Sequence, residues 1–298
     1  MYNIPNNNIN IYQFDKNNKL EYNEKDWNRI IAIGDIHGCY SKLTNLLNNI
    51  QPTNKDLLIF LGDYTDRGDD NISCMKFIIQ MINYKNIIFL LGNHELLLIQ
   101  HILYNMQHIK KVTFKEINKM SVEEFKILFD KMITSVDHFR DYLPNGGNVT
   151  LNEVKNDLAV FKKYLYIITN LYTTFEMTIN NQYTIFVHAG IDPFKDLNEQ
   201  LLDDLVWIRW KFFNNYQGKE KIVIGHTPTY NITNQFKPTK LKNNIIMCDT
   251  GSYRANISAV NIKTEEYWQN NTNEVNMLST FDNNHANNSK IILKKGDL

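Results

Sequence analysis

The stretch DLLIFLGDYTDRG, residues Asp56–Gly68, decides how the rest of the chain is interpreted. Its first part, Leu57–Leu61, is short, apolar and rich in branched side chains, which predicts a buried strand that ends at Gly62. Two carboxylates and one guanidinium follow within five residues: Asp63, Asp66 and Arg67. Open α/β sheets place their ligands at the carboxyl ends of strands, so we expect this loop to bind a ligand. A carboxylate beside an arginine suits a cation and a phosphate.

The composition predicts a large core and no excess of charge. The chain has 298 residues, of which 43% are hydrophobic, with 32 basic and 32 acidic residues. Length alone allows two domains, but α/β proteins of this size often form one. Balanced charge argues against a broad basic face for nucleic acid, so we expect no stable nucleic-acid partner.

The three cysteines, Cys39, Cys74 and Cys248, have no metal-like spacing. Such cysteines favour a reducing compartment, and we expect a cytoplasmic protein. The segment Met1–Pro5 lacks the basic region and apolar core of a secretion signal. No apolar run is long enough to cross a bilayer, so we expect no association with membranes.

In the first third of the chain, a strand, a motif loop and a helix follow one another three times. The predicted strands are Arg29–Ile33, Leu57–Leu61 and Asn86–Leu91, and the predicted helices are Ser41–Ile50, Ile72–Ile82 and Glu95–Ile109. This alternation predicts parallel strands joined by right-handed crossovers.

The second half of the chain is predicted to be rich in β-structure. The strand patterns are Leu171–Ile179, Tyr183–Val187, Lys221–Ile224, Asn244–Cys248 and Ala255–Ile262. Asn180 and Asn181 are expected to form a hairpin turn between the first two strands. We therefore expect an α/β fold in which two mixed β-sheets pack face to face, flanked by helices.

We expect a single domain over residues 29–263. Apolar residues at helical spacing in residues 110–170 predict a helical insertion over the site, not a separate domain. Residues 1–28 form an N-terminal extension whose weak alternation is compatible with a small hairpin. Residues 264–298 form an Asn-rich C-terminal extension, and the Asn clusters at both ends are expected to be loops or loose ends.

Half of the eight histidines closely follow predicted strands, each within two residues of a glycine: His37, His94, His188 and His226. Asp35 lies one residue from His37 on the other side of Ile36, so both side chains are expected to point the same way. Each histidine alone is more often a structural residue, but four in this arrangement indicate a shared site. The others receive no functional role: His101 and His108, at helical spacing from His94, and His138 and His285.

Five motifs, in this order and spacing, resemble those of the phosphoprotein phosphatase family, a branch of the calcineurin-like metallophosphoesterases. They are GDIHG (34–38), GDYTDRG (62–68), GNHE (92–95), HAG (188–190) and GH (225–226). The resemblance covers about residues 29–262. The element Asp66–Gly68 separates the family from related nucleases and cyclic-nucleotide phosphodiesterases. Thr227–Pro228 stands where those relatives carry a second histidine.

Four further motifs are similar to those of the bacterial, bacteriophage-lambda and diadenosine-tetraphosphatase-like branch. They are HAGIDP (188–193), VWIR (206–209), NGG (145–147) and DTG (249–251). Tyr253 and Arg254 follow the last of these motifs and receive no role from the resemblance.

The resemblance implies two divalent metal ions that share Asp63 as a bridging ligand. One ion is expected on Asp35, His37 and Asp63, and the other on Asp63, Asn93, His188 and His226. Mixed oxygen and imidazole ligands favour Mn²⁺, with Fe, Zn²⁺ or Co²⁺ as alternatives. Such a pair lowers the pKa of a shared water, and the resulting hydroxide attacks phosphorus directly.

The resemblance also implies the residues that bind and activate the substrate. Arg67 and Arg209 are expected to bind phosphate oxygens and to stabilise charge in the transition state. His94 would protonate the leaving oxygen while Asp66 holds it as a cation, and Asn145 would line the substrate side. From the residues alone, Arg209 is also compatible with a surface ion pair, Asn145 with a plain turn, and His94 with support of the metal loop.

We therefore expect a metallophosphoesterase, a hydrolase of the serine/threonine phosphatase type. Its substrates would be phosphomonoesters, including phosphoserine or phosphothreonine in proteins and small phosphate esters. The alternative is hydrolysis of dinucleoside polyphosphates or capped RNA 5′ ends, since the same two-metal centre supports either reaction. A non-catalytic phosphate-binding protein is a third reading, which the complete set of ligand positions disfavours. We expect the insertion at 110–170 to shape the rim and so to select the substrate.

Overall fold

The computed structural model describes residues 22–109, 112–134 and 142–281. Most of the N-terminal extension, residues 1–28, for which the sequence suggests a small hairpin, lies outside the described residues. His138 and His285 also lie outside them. Within the described part, two six-stranded mixed sheets are flanked by helices, which confirms the predicted α/β class and its two-sheet arrangement.

The strands are β1 (Arg29–Ile33), β2 (Asp56–Phe60), β3 (Ile87–Phe89), β4 (Thr174–Ile179), β5 (Gln182–Val187), β6 (Lys221–Ile224), β7 (Thr239–Leu241), β8 (Ile245–Met247), β9 (Ser258–Asn261), β10 (Glu266–Gln269), β11 (Thr272–Met277) and β12 (Thr280–Phe281). The α-helices are α1 (Tyr40–Ile50), α2 (Asn71–Met81), α3 (Asn93–Ile109), α4 (Phe114–Lys119), α5 (Val122–Thr134), α6 (Asn148–Glu153), α7 (Leu158–Ile168), α8 (Leu202–Trp207), α9 (Trp210–Asn215) and α10 (Tyr230–Thr233). Single helical turns of other types cover Glu24–Asp26, Leu143–Gly147, Val154–Asn156 and Leu197–Glu199.

The first sheet has the order β11-β10-β9-β1-β2-β3. Strands β1, β2 and β3 are parallel, and Ile33 lies opposite Phe60, which in turn lies opposite Phe89. The three strands therefore end at the same level, and the loops that follow them meet at one edge. The first two predicted strand–helix units agree with the structure to within one residue at each end, and α3 begins two residues earlier than predicted, at Asn93.

The second sheet has the order β12-β7-β8-β6-β5-β4. Strands β5, β6 and β8 are parallel, with Phe186 opposite Val223 and Val223 opposite Ile246. Asn180 and Asn181 both have positive φ, at 50° and 63°, as the predicted two-residue hairpin turn requires. This sheet thus also brings three strand ends to one edge.

The two sheets bury an apolar layer between them, which includes Ile59, Phe186 and Val260. A second cluster joins the outer face of the first sheet to α1, α2, α3 and the insertion, where Phe125, Phe129 and Phe161 pack together. The helices of the insertion, α4–α7, therefore share the core of the first sheet.

Residues 266–281 lie in the segment that we expected to be an extension beyond the catalytic domain. Strand β10 pairs with β9 in the first sheet, and β12 pairs with β7 in the second. Both sheets therefore continue past the expected boundary at residue 263. Among the helices of the described residues, none combines the length and the apolar character needed to span a membrane.

Candidate metal centre

The six predicted metal ligands are buried side chains at the edge where the two sheets end. Asp35 and His37 follow β1, Asp63 follows β2, and Asn93 begins α3 just after β3. His188 and His226 follow β5 and β6 of the other sheet. None of the six is more than 4% exposed. Each sheet thus supplies part of one cluster.

Tight backbone geometry brings these loops together. His37, Asp63 and His226 have φ values of 48°, 55° and 60°, a conformation that residues with a Cβ rarely adopt. Such strain persists only where the surrounding structure enforces it, and it is concentrated at functional sites. Gly62 has a φ of 105°, and a Cβ there would lie 2.7 Å from Gly92 and from His188 Nδ1. The loop from β2 can therefore approach the other two only through a glycine.

Asp63 lies at the centre of the cluster. Its Oδ1 is 3.3 Å from His188 Nε2, and its Oδ2 is 3.6 Å from His37 Nε2. The two oxygens of one carboxylate therefore face two different histidines, as a bridging ligand requires.

The imidazoles of His37 and His188 are held in the tautomer that metal ligands use. His37 Nδ1 donates to the carbonyl of Thr65 at 3.1 Å, and His188 Nδ1 donates to the carbonyl of Leu61 at 2.7 Å. Because a carbonyl oxygen only accepts, both Nε2 atoms direct a lone pair into the cluster in the neutral ring. Metal-binding histidines are commonly oriented by such an outer hydrogen bond.

Several electron-rich atoms converge on one point near His188. Asn93 Oδ1 is 2.9 Å from His188 Nε2 and 2.8 Å from His226 Nδ1. Ligand atoms of Asp63, His188 and His226 all lie within 4.8 Å of one another. Burial alone would lower the pKa of His188, but the Asp63 charge outweighs it and raises the pKa to about 9. The site therefore favours positive charge, and its oxygen and imidazole atoms fit a divalent cation.

A second group of ligand atoms consists of His37, Asp63 and His94, again within 4.8 Å of one another. Asp35, which the sequence assigns here, lies with Oδ2 3.9 Å from His37 Nε2. Both Asp35 oxygens also accept from the backbone N–H of His226, at 3.0 and 3.1 Å. Burial, reinforced by the charges of Asp249 and Asp63, raises the pKa of Asp35 well above its usual range. A cation at this place would relieve that repulsion between carboxylates.

His94 and Asp66 form a buried pair next to the cluster. His94 Nδ1 lies 2.7 Å from Asp66 Oδ2. His94 Nε2 is buried 4.0 Å from Asp63 Oδ2 and has no hydrogen-bond partner within the described part of the chain. The imidazole thus turns one nitrogen to Asp66 and the other toward the centre of the site.

The two predicted arginines both reach the site. Arg67 NH1 donates to His37 Nε2 at 2.9 Å, and Arg67 Nε donates to the backbone carbonyl of Asn145 at 3.3 Å. Arg209 NH1 donates to Thr227 Oγ1 at 3.0 Å and to the carbonyl of His226 at 3.3 Å. Asn145 therefore contacts Arg67 through its backbone, on the turn Leu143–Gly147.

Two exposed aromatic rings stand beside the cluster, and sequence reasoning gave them no role. The Trp207 ring is perpendicular to His226 at 5.9 Å, and the Tyr253 ring is perpendicular to His37 at 5.8 Å. They are 38% and 37% exposed. Trp207 lies within the VWIR motif, and Tyr253 lies two residues after the DTG motif. These positions in the sequence could have indicated a functional role for both residues. His101, predicted to be an ordinary helix residue, lies buried in α3 with its ring 5.2 Å from that of Tyr142.

A family model described as calcineurin-like phosphoesterase matches residues 28–255. The asymmetrical bis(5'-nucleosyl)-tetraphosphatase PrpE of Oceanobacillus iheyensis is 26% identical over 249 residues, covering 75% of this chain and 84% of its own. PrpE of Bacillus subtilis is 26% identical over 235 residues, covering 74% and 84%. Serine/threonine-protein phosphatase 1 of Salmonella typhimurium is 35% identical over 72 residues, which are 24% of this chain and 32% of its own.

The fold has a counterpart among solved structures. The crystal structure of a protein provisionally described as a diadenosine tetraphosphatase superposes with a TM-score of 0.50 at 19% identity. The superposition covers 81% of this chain and 92% of that one. At this level of identity the likeness concerns the fold alone.

Proposed function

Because the chain belongs to the calcineurin-like phosphoesterase family, we propose that it is a two-metal hydrolase whose substrates are dinucleoside polyphosphates. The observation that carries the choice of substrate is the extent of the alignments. Two relatives that match about three-quarters of the chain are named bis(5'-nucleosyl)-tetraphosphatases. The sequence alone favours phosphomonoesters, with dinucleoside polyphosphates as the alternative, and this proposal reverses that order.

The aromatic rings beside the cluster support the same substrate class. Trp207 and Tyr253 stand against His226 and His37, which are assigned to different metal ions, and both rings are partly open to solvent. Nucleobases stack on exposed aromatic side chains, because every base presents a π-face. A dinucleoside polyphosphate carries two bases joined by phosphates, so its phosphates would lie over the cluster while its bases stack at the sides.

The metal ligands are proposed as the sequence assigns them. One ion would bind Asp35, His37 and Asp63, and the other Asp63, Asn93, His188 and His226. When bound, two ions such as Mn²⁺ lower the pKa of a shared water and neutralise phosphate charge. The chain would hold both sets of ligands at the edge where the two sheets end, and Asp63 would belong to both sets.

The remaining residues would act on the substrate itself. Arg67 and Arg209 would bind phosphate oxygens, where charge-assisted hydrogen bonds stabilise the transition state. His94 would donate a proton from Nε2 to the leaving oxygen, since Asp66 occupies its Nδ1. Asn145, whose carbonyl accepts a hydrogen bond from Arg67 Nε, would line the substrate side of the site.

Phosphomonoesters remain the second candidate class of substrates. The match to serine/threonine-protein phosphatase 1 of Salmonella typhimurium is stronger in identity, at 35%, but extends over only 72 residues. We also propose that the protein acts in the cytoplasm, since Cys39, Cys74 and Cys248 are buried free thiols.

The experiment is a comparison of four substrates with the Mn²⁺-loaded protein: diadenosine tetraphosphate, capped RNA, a phosphoserine peptide and 4-nitrophenyl phosphate. We expect kcat/KM for the dinucleotide to exceed the values for the others by at least tenfold, a difference of roughly 1.4 kcal/mol in transition-state binding. A preference for the phosphopeptide would select the second candidate. If the fully loaded protein turned over none of them, both candidates would be rejected.

A further inference from the structure

The carboxylate of Asp66 receives hydrogen bonds from three separate parts of the chain. Its Oδ2 pairs with His94 Nδ1 at 2.7 Å. Its Oδ1 accepts from the hydroxyl of Tyr142 at 2.9 Å and from the hydroxyl of Thr150 at 2.5 Å. Asp66 is completely buried, so these partners replace water in satisfying its charge.

Thr150 holds Asp66 at two points. Besides donating to the carboxylate, its Oγ1 accepts from the backbone N–H of Asp66 at 3.1 Å. That N–H also donates to Asn71 Oδ1 at 2.7 Å. Because φ of Asp66 is 75°, its backbone conformation is unfavourable and needs such external contacts to persist.

Both hydroxyls come from the helical insertion. Tyr142 immediately precedes the turn Leu143–Gly147, and Thr150 lies in α6. Tyr142 is fixed by its surroundings, since it is fully buried and a Cβ on Gly147 would collide with its ring. Burial, together with the neighbouring Asp66 charge, raises the pKa of Tyr142 well above its usual range, so the phenol keeps its proton and donates.

The insertion is tied to the same loop by a third contact. Glu153, at the end of α6, accepts from the backbone N–H groups of Asn71 and Ile72, each at 2.9 Å, and also from Asn71 Nδ2. A carboxylate at this place satisfies free N–H groups of the first turn of α2. The contacts of Glu153 therefore fix the position of the segment that carries Tyr142 and Thr150 to Asp66.

From these contacts we propose that Tyr142 and Thr150 are positioning residues for proton transfer, because they hold the Asp66 carboxylate that orients His94. This inference rests on the proposed function, in which His94 protonates the leaving oxygen. From sequence, the insertion is expected to shape the rim of the site. Through Tyr142 and Thr150 it also holds the His94–Asp66 pair in position. Two donors on Oδ1 restrict rotation of the carboxylate, and Oδ2 is kept on His94 Nδ1.

The test uses two aryl phosphates that differ mainly in the leaving group. Phenolate needs a proton as the bond to phosphorus breaks, whereas 4-nitrophenolate is stable without one. Tyr142→Phe and Thr150→Val each remove one hydroxyl and little volume. We expect kcat on phenyl phosphate to fall roughly 10–100-fold, the usual effect of losing an outer-shell partner. On 4-nitrophenyl phosphate we expect less than about a threefold loss, with KM and metal content unchanged, because general acid catalysis matters little there.

Three matched variants make the test specific. Thr150→Ser keeps the hydroxyl and should behave as wild type, which separates the loss of the hydrogen bond from a change in packing. Tyr216→Phe removes a phenol that bonds to Glu220, and it should leave both rates unchanged. In an Asp66→Asn background, Tyr142→Phe should add little further loss, since both changes interrupt one path.

The results distinguish this inference from the proposal on which it rests. If His94→Gln lowers both rates equally, the role of His94 as the proton donor is rejected. If His94→Gln shows the leaving-group difference but Tyr142→Phe and Thr150→Val do not, the positioning role alone is overturned. A loss in Thr150→Ser equal to that in Thr150→Val would also overturn it.

Discussion

The carboxylate of Glu95 accepts a hydrogen bond from the backbone N–H of Asp63 at 2.9 Å, and thus supports the residue at the centre of the candidate metal site. The same carboxylate accepts from the N–H groups of Tyr64 and Gly92, at 2.9 and 3.1 Å, and from the hydroxyl of Tyr164 at 3.2 Å. Four donors on one buried carboxylate leave no place for an amide NH₂ group.

We therefore expect Glu95→Gln to destabilise the fold and to weaken metal binding. The introduced NH₂ would face N–H donors, and a buried hydrogen bond to a charged group contributes about 1.5–3 kcal/mol. Urea unfolding of the metal-free protein measures the first effect, and Mn²⁺ titration the second. Tyr164→Phe removes only the hydroxyl donor to Glu95, and it should have smaller effects on both stability and metal affinity. Wild-type stability and affinity in Glu95→Gln would show that the loop does not depend on this carboxylate.

Asp63→Asn should weaken both metal ions together. One carboxylate oxygen faces His188 and the other faces His37, so a neutral amide removes charge from both sites at once. Metal analysis after dialysis should find fewer than two ions per chain. Asp157→Asn, at the start of α7, serves as a control that keeps both. Two tightly held ions in Asp63→Asn would contradict the bridging role.

Arg67→Ala and Arg209→Ala should retain their metals but bind phosphate more weakly. Each change removes charge-assisted hydrogen bonds to the substrate and no proposed metal ligand. We expect the inhibition constant of inorganic phosphate to rise roughly 10–150-fold, which corresponds to the 1.5–3 kcal/mol assigned to such bonds. The measurement is inhibition of 4-nitrophenyl phosphate hydrolysis, alongside metal content. Unchanged inhibition in both variants would remove the arginines from the phosphate site.

Trp207→Leu and Tyr253→Leu should raise KM for diadenosine tetraphosphate much more than KM for 4-nitrophenyl phosphate. Because the Arg67 guanidinium lies 5.1 Å from the centre of the Tyr253 ring, Tyr253→Leu should also raise the second KM slightly. Loss of a base-stacking side chain costs about 1–3 kcal/mol per base, so KM for the dinucleotide should rise roughly 5–150-fold in each variant. Tyr84→Leu is the matched control, because Tyr84 is 57% exposed on another part of the surface. An equal rise for both substrates would indicate damage to the metal centre instead of lost stacking.

The ion pair of Arg29 and Asp56 should make the stability of the fold sensitive to acid. Arg29 donates to both oxygens of buried Asp56, through Nε at 3.0 Å and NH2 at 2.7 Å. Burial alone would raise the pKa of Asp56, but the hydrogen bonds from Arg29 and Thr53 outweigh it and lower the pKa.

The sign of this effect follows from proton linkage. The pKa of Asp56 is lower in the folded state, so its contribution is complete above the unfolded value of about 3.9 and is lost as pH falls through the folded value. The difference in unfolding free energy between wild type and Asp56→Asn should therefore shrink from pH 6 to pH 3. Urea unfolding of metal-free protein at both pH values measures it. A difference that stays constant would show that Asp56 has the same pKa in both states.

The residues proposed as metal ligands were assigned through the family resemblance of their motifs, and the sequence pattern adds that each motif stands just beyond a predicted strand. Parallel strands in register bring their carboxyl ends together. Residues that follow such strands, for example Asp63 and His188, are therefore expected to lie close to the residues that follow the neighbouring strands. Tyr142 and Thr150 could not be found in this way. They reach Asp66 from 76 and 84 residues further along the chain, and nothing in their local sequence distinguishes them from neighbouring residues.

The short strands β10–β12 were missed for a different reason. Side chains of β11, such as Val275 and Met277, are largely exposed, so the strand shows no alternation of buried and polar positions. Its pairing with β10 is determined by backbone hydrogen bonds to a neighbour that only the folded chain provides. Local preference therefore could not reveal where the sheets end.

The division of the cluster between two sheets has a mechanical consequence. Asp35 and His226 lie 191 residues apart in the chain, yet they meet through a hydrogen bond at the shared edge. An ion held from both sides would act as a removable cross-link, and it would stabilise the native form in proportion to the logarithm of free metal concentration. Removal of the ion by a chelator would then weaken the packing between the two sheets before it destabilised either sheet alone. The lifetime of the enzyme against proteases would thus follow the metal supply of its surroundings.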